Sequence, residues 1–245
     1  MVSRSKNKEY PFSQALGIER GDVVCFTGAG GKTSLMFRLA KEAKEQGLKV
    51  LVTTSTKILV PDANQCDALD LSGKLFSGHT VTDPGIYVGG LPTSVAGKMT
   101  GVGMDLLLRH RKKFDLVLIE ADGAATKPLK GWNSTEPVIP EFTTKTIGII
   151  DIQTIGNMIC EALVHRLEIF SKITGGKNGE PVALHHLFQV IHHEQGLFSQ
   201  SQGVELLYIN KVESETDQRN VDGLREKLEN MTIIAGSVQQ GTIYV

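Results

Sequence analysis

An α/β fold, with a mostly parallel sheet and helices on both faces, is what three features of the 245-residue sequence predict. Short apolar runs without alternation recur along the chain: Val23-Val24-Cys25-Phe26, Leu48 to Thr53, Phe114 to Ile119, Thr146 to Ile152 and Val204 to Ile209. Such strands are buried on both faces, as in parallel sheets. Stretches with helical spacing separate several of them, which is the pattern of crossover connections. The residues with chemistry gather where these runs end, the place where open α/β sheets bind ligands.

Taken in order, residues 1–9 read as a flexible end, and Pro11 to Leu16 as a short helix. Gly21-Asp22 turns into the first strand, 23–27. A helix over 33–46 puts Leu35, Met36, Leu39, Ala40 and Ala43 on one face, with Gly47 as its stop. The second strand follows at 48–53. Residues 60–100 are rich in turn formers and yield one short strand, Ile86-Tyr87-Val88. A helix from Asp105 to Lys112 precedes the strands at 114–119 and 146–152. From Asn157 to Ser199 the spacing is helical, broken at Gly175 to Gly179. A strand at 204–209, a helix marked by Val221, Leu224 and Leu228, and a last strand at 232–235 complete a single domain over 1–245.

The organising stretch is Phe26-Thr27-Gly28-Ala29-Gly30-Gly31-Lys32-Thr33-Ser34, lying between strand and helix. That is the context of a phosphate-binding loop. Glycines let phosphate oxygens approach the backbone, and the amides of residues 28–33 are expected to point inward beside the positive end of the helix. Lys32, expected to stand exposed between loop and helix, neutralises the β- and γ-phosphates, and the Thr33 hydroxyl binds Mg²⁺. The usual first glycine would fall at Phe26, so what stands is a shorter form, Gly28-x-x-Gly31-Lys32-Thr33. It resembles the loop of the Mur ligases and folylpolyglutamate synthetases. Dinucleotide binding fits less well: Thr33 takes the third glycine position, and no acid follows the second strand.

Other strand ends extend this site. Thr53-Thr54-Ser55-Thr56-Lys57 follows the second strand, and Thr54 and Lys57 are its candidates for the γ-phosphate or the Mg²⁺ shell. Glu120 ends the strand at 114–119 and is the first candidate for the metal-side acid. Asp122 is a second acid or a holder of water. Lys127 and Lys130 lie in the next loop, where they are either grips for an anionic substrate or solvated side chains. Asn210-Lys211-Val212-Glu213 resembles the Asn-Lys-x-Asp element with which GTPases read guanine, with Glu213 in place of the acid. This favours GTP slightly over ATP. His185, His186, His192 and His193 form pairs seven residues apart, about 10 Å along a helix, too far for one ion; they read as a solvated face.

Composition excludes several classes. Net charge is −1 without a basic block, which argues against nucleic acid. No apolar stretch reaches the length of a membrane span. Three scattered cysteines, Cys25, Cys66 and Cys160, suit a reducing cytoplasm and show no metal spacing.

The motifs fall, as a set and in order, as they do in the YqeC-like proteins: Gly28 to Thr33, Thr53 to Lys57, Glu120-Ala121-Asp122-Gly123, Pro128-Leu129-Lys130, Glu136 to Pro140, His165-Arg166 and Asn210-Lys211. The chain resembles this family along nearly its whole length, departing from it where Ala124 to Lys127 lack an arginine and where Glu213 replaces Asp. The resemblance implies a phosphate-loop nucleoside triphosphatase fold. It also implies an accessory role in maturing the cofactor of selenium-dependent molybdenum hydroxylases, with such a hydroxylase or its maturation proteins as partners. The expected activity is Mg²⁺-dependent binding and slow hydrolysis of GTP or ATP, in which Lys32, Glu120 and Asp122 act. The alternatives are a small-molecule kinase or ATP-dependent ligase, and a nucleotide-gated binding module without turnover.

Overall fold

The computed structural model describes residues 11–78 and 81–244, so the expected flexible end at 1–9 lies outside the described residues. Its first part contains α1 (Phe12–Ala15), β1 (Val23–Gly28), α2 (Lys32–Glu45), β2 (Lys49–Thr54), β3 (Lys57–Leu59), β4 (Ala68–Asp70), β5 (Gly85–Gly89), β6 (Leu91–Pro92) and β7 (Lys98–Thr100). The middle contains α3 (Met104–His110), β8 (Leu116–Glu120), β9 (Leu129–Lys130), β10 (Lys145–Asp151) and β11 (Val164–His165). The last part contains α4 (Leu167–Thr174), α5 (Leu184–His192), β12 (Val204–Asn210), α6 (Glu215–Arg225), β13 (Ile233–Ser237) and β14 (Thr242–Tyr244).

The molecule is an α/β protein with a nine-stranded central sheet in the order β14-β13-β12-β10-β1-β8-β2-β5-β4. Every neighbouring pair is parallel except β13 with β14 at one edge. Alternation along the central strands divides the core in two. Val24, Phe26, Val50, Val52, Ile147, Ile149, Leu206 and Tyr208 pack on one face, against α1 and α2. Leu207, Ile209 and Ile150 meet α4, α5 and α6 on the other face, and Val23, Cys25, Leu51 and Val117 meet the α3 region there. Because both faces are covered, these strands are apolar throughout rather than alternating in polarity.

Helix α2 buries the face that its spacing predicts: Leu35, Met36, Leu39, Ala40 and Ala43 are at most 2% exposed. It also buries Glu42, whose carboxylate accepts from the Phe12 and Ser13 amides at 3.2 and 2.8 Å and pairs with Arg38. That carboxylate satisfies orphan donors at the start of α1 and pins the short helix to α2.

The stretch 157–199 is less helical than its spacing predicts. Helix occupies only α4 and α5; Asn157 to Arg166 form turns and β11, and the chain turns again beyond His192. Arg166 takes left-handed backbone angles (φ 58°, ψ 59°) directly before α4, which no continuing helix accommodates. His186 also departs from the expected solvated face. It is 3% exposed, and its Nδ1 accepts from the Ala183 amide at the start of α5.

Candidate functional site

The strand order places the chemistry. β1 lies between β8 and β10, so the loop after it is flanked by Glu120 on one side and Asp151 on the other. The chain crosses from β1 by α2 to β2 on one side, then returns through β8 to β10 and β12 on the other. The crevice beside β1 is therefore a topological switch point. A cavity of about 940 Å³ opens there, lined by Gly30 to Ser34, Glu120, Asn210, Lys211, Val238 and Gln239, by Lys57 to Leu59 and Lys98, and by Gly123 to Pro128.

The loop needs its glycines at two points above all. A Cβ on Gly28, at φ 101°, would lie 2.1 Å from the Ile149 carbonyl oxygen. One on Gly31, at φ 135°, would lie 2.2 Å from Asn210 Nδ2. Not all the amides face inward as expected. The Gly28 amide donates to Asp122 Oδ2 at 2.9 Å and the Ala29 amide to the Ile149 carbonyl at 3.1 Å, so both anchor the loop to its neighbours. Among the described residues, the amides from Gly30 to Ser34 donate to no protein acceptor. They are the free donors of a fourteen-residue helix and its entry.

Lys32 is buried, at 5% exposure, rather than exposed as its place in the sequence suggests. Its ammonium donates to the Gly28 carbonyl at 2.6 Å and pairs with Asp122 at 3.1 Å and Glu120 at 3.7 Å. Burial alone favours a neutral amine, but the two carboxylates outweigh it and push the Lys32 pKa up. Thr33 and Ser34 are exposed in the first turn of α2 and line the cavity. The Thr33 hydroxyl donates to Glu120 Oε2 at 2.7 Å. A hydroxyl and a carboxylate side by side at a cavity wall are the oxygen donors that Mg²⁺ takes together with phosphates and water.

Asp122 does different work. It is fully buried, and besides the Gly28 amide its Oδ2 accepts from Trp132 Nε1 at 2.7 Å and pairs with Lys130 at 3.1 Å. Lys130 is 1% exposed, so it is neither a solvated lysine nor a grip on substrate. Its ammonium also donates to the Gly123 carbonyl at 2.6 Å and to Glu136 at 3.0 Å. Arg166 then holds Glu136 through two nitrogens, at 2.7 and 3.1 Å. The charges alternate along Lys32, Asp122, Lys130, Glu136 and Arg166, from the loop to the start of α4. Desolvation pulls the Lys130 pKa down, partly offset by Asp122 and Glu136 and reinforced by Lys32. Burial raises the Glu136 carboxyl, but Arg166 and Lys130 outweigh it and hold its pKa at about 2. Lys127 donates to the carbonyls of Glu161 and Val164.

Thr54 is committed to structure. Its hydroxyl donates to the Glu120 carbonyl at 2.8 Å and ties β2 to β8, whereas Lys57 is exposed and lines the cavity. On the other side, Asn210 and Lys211 reach the cavity and Glu213 is not among its lining residues. The Asn210 amide is bonded at both ends: Nδ2 donates to the Gly30 carbonyl at 2.8 Å, and Oδ1 accepts from the Val238 amide at 3.2 Å. It braces the loop against β12 and the turn after β13. Glu213 accepts from Ser237 Oγ at 2.7 Å and Gln153 Nε2 at 3.3 Å.

Sequence reasoning missed Asp151, Trp132 and the pairing of Glu136. Asp151 ends β10, is 1% exposed, and pairs with Lys211. A Cβ on Gly30 would meet its side chain at 2.3 Å, so it forms the wall behind the loop. The signal for it was an acid at the end of an apolar run, the same pattern that singled out Glu120.

A family model described as "YqeC protein" matches residues 24–168, more than half of the chain. The Escherichia coli (strain K12) protein described as "Uncharacterized protein YqeC" is 31% identical over 182 residues, covering 74% of this chain and 71% of that protein. The matched family segment runs from β1 past β11 and so holds the loop, both acids and the chain of charges to Arg166; this protein belongs to the YqeC family.

Proposed function

We propose that the protein binds a purine nucleoside triphosphate with Mg²⁺ and hydrolyses it slowly, as a step in maturing the cofactor of a selenium-dependent molybdenum hydroxylase. The process comes from the family resemblance and the chemistry from the loop. The observation that carries the reading is the row of uncommitted amides from Gly30 to Ser34 at the positive end of α2, with the Lys32 ammonium beneath them. In this reading the amides and Lys32 hold the phosphates, and Lys32 exchanges carboxylate partners for phosphate oxygens. Thr33 and Glu120 hold the Mg²⁺, which supplies charge neutralisation at the β- and γ-phosphates. Asp122 keeps the loop in shape through the Gly28 amide. The base lies toward Lys211.

Lys32→Ala tests the assignment. Losing a charge-assisted contact to phosphate should weaken GTP and ATP binding by about tenfold to a hundredfold in calorimetry. Circular dichroism should show a folded variant, because Asp122 retains Lys130. Unchanged affinity in the folded variant would remove the phosphate-loop assignment.

A further inference from the structure

The cavity extends to both sides of the phosphate loop. β12, which brings Asn210 and Lys211, lies two strands to one side of β1, and β2 lies two strands to the other. Neighbouring strands are about 4.8 Å apart, so the floor reaches roughly 10 Å each way. A nucleotide with its phosphates over Lys32 and its base toward Lys211 fills the β12 half. The half beyond Glu120, on the β2 side, is left over.

That half has a distinct wall. After β2 the chain forms a three-stranded antiparallel sheet, in the order β3-β7-β6, separate from the main sheet. Lys57 pairs with Thr100 and Leu59 with Lys98, so alternation sends Ile58 and Met99 toward the core and turns Lys57, Leu59 and Lys98 outward. These three line the cavity together with the small exposed part of Ile58, and Leu59 is 61% exposed. Among the described residues, neither lysine has an ion-pair partner. The lining continues with Ala124, Ala125 and Pro128, on a loop turned by left-handed backbone at Ala125 and Thr126. Lys127, on the same loop, is already spent on two carbonyls. An exposed leucine alone needs no explanation. One that stands beside two ammonium groups without ion-pair partners among the described residues, and that lines the same cavity as small apolar residues, is a pattern that matches a ligand.

We propose that this half of the cavity is a second subsite, holding an organic anion beside the terminal phosphate, with its charge on Lys57 and Lys98 and its apolar body on Leu59. The subsite rests on the nucleotide reading above and gives the bound triphosphate a neighbouring molecule other than water.

Phenyl phosphate and benzoate are minimal probes, one for each kind of anionic group; inorganic phosphate lacks the apolar body. Ligand-observed NMR titrations use the full-length protein loaded with Mg²⁺ and a β,γ-imido nucleotide. One aromatic anion should bind more tightly than inorganic phosphate without displacing the nucleotide. Lys98→Ala should weaken it about tenfold, the worth of one charge-assisted contact, and Leu59→Ser should weaken it toward the inorganic phosphate value. Neither side chain holds core or nucleotide, so both variants should fold and load as the parent does. Equal probe binding by parent and variants, displacement of the nucleotide, or no binding of either probe overturns the subsite. If the parent does not load nucleotide, the function proposed above fails instead. The same titrations on nucleotide-free protein then decide the subsite by whether Lys98→Ala weakens the probe.

Discussion

Asp122 accepts from the Gly28 amide and the Trp132 indole while Lys32 and Lys130 neutralise it, and Glu120 accepts from the Thr33 hydroxyl at the cavity wall. Substituting the two acids should therefore move different observables. Asp122→Asn leaves two buried lysines short of a counter-charge, and chemical denaturation should show a loss of about 3 kcal/mol. Glu120→Gln should keep most of the stability and weaken Mg²⁺-dependent nucleotide binding by about tenfold. A greater loss of Mg²⁺-dependent affinity from Asp122→Asn would reverse these roles. On the base side, the Asn210 amide is consumed in bracing the loop, and Glu213 lies off the cavity lining, held by Ser237 and Gln153, so reading a base requires Glu213 to turn from these partners toward it. If it reads guanine, calorimetry should show GTP bound more tightly than ATP by a few kcal/mol, with the preference erased in Glu213→Gln and kept in Glu213→Asp. Equal affinities in all three proteins would remove this segment from base reading and move the ATP-dependent ligase alternative ahead. Residue types were legible in the sequence here and environments were not. Lys32 reads as exposed at a loop–helix junction, yet it is enclosed by acids at the end of β8 and just beyond it, about ninety positions away in the chain.

The elements follow their periodicity where they are long and buried, as α2, β1, β8, β10 and β12 do, because covered strands and a covered helix face must be apolar. They depart from it where local geometry prevails. β3, β4 and β7 have three residues each, too few to show a period, and their pairing partners supply the order that their own sequence lacks. The 157–199 stretch carries helical spacing across turns that Arg166 and the glycines impose. β9 and β11 are two-residue strands, yet their pairing brings His165 beside Lys130 and Arg166 within reach of Glu136. This ion-paired corner makes stability depend on acid. The Glu136 carboxyl sits at about 2 against its ordinary 4.5, so the folded state holds its proton less tightly than the unfolded chain does. The resulting stabilisation is complete above about 4.5 and is lost as pH falls toward about 2. Denaturation midpoints measured across that window should fall more steeply for the parent than for Glu136→Gln. Parallel curves would show that the pairing adds no pH-dependent stability.

At the scale of the whole molecule, fold class was legible because most strands of one large, mostly parallel sheet repeat the same apolar signature, and the place of the candidate site was legible because such a sheet gathers its strand ends at one edge. The cavity's extent was not, since the wall of Lys57, Leu59 and Lys98 arises from pairing between segments about forty residues apart. The position of β1 has a further consequence, for synthesis. Its neighbours are β8 and β10, so an apolar strand made among the first thirty residues has no partner until residue 116 and no second one until residue 145. During translation at roughly 5–20 residues per second, Val23 to Phe26 wait for several seconds without the strands that will cover them. A nascent chain stalled before residue 116 carries an open apolar edge, which is the surface that holding chaperones engage and that misassembling chains share.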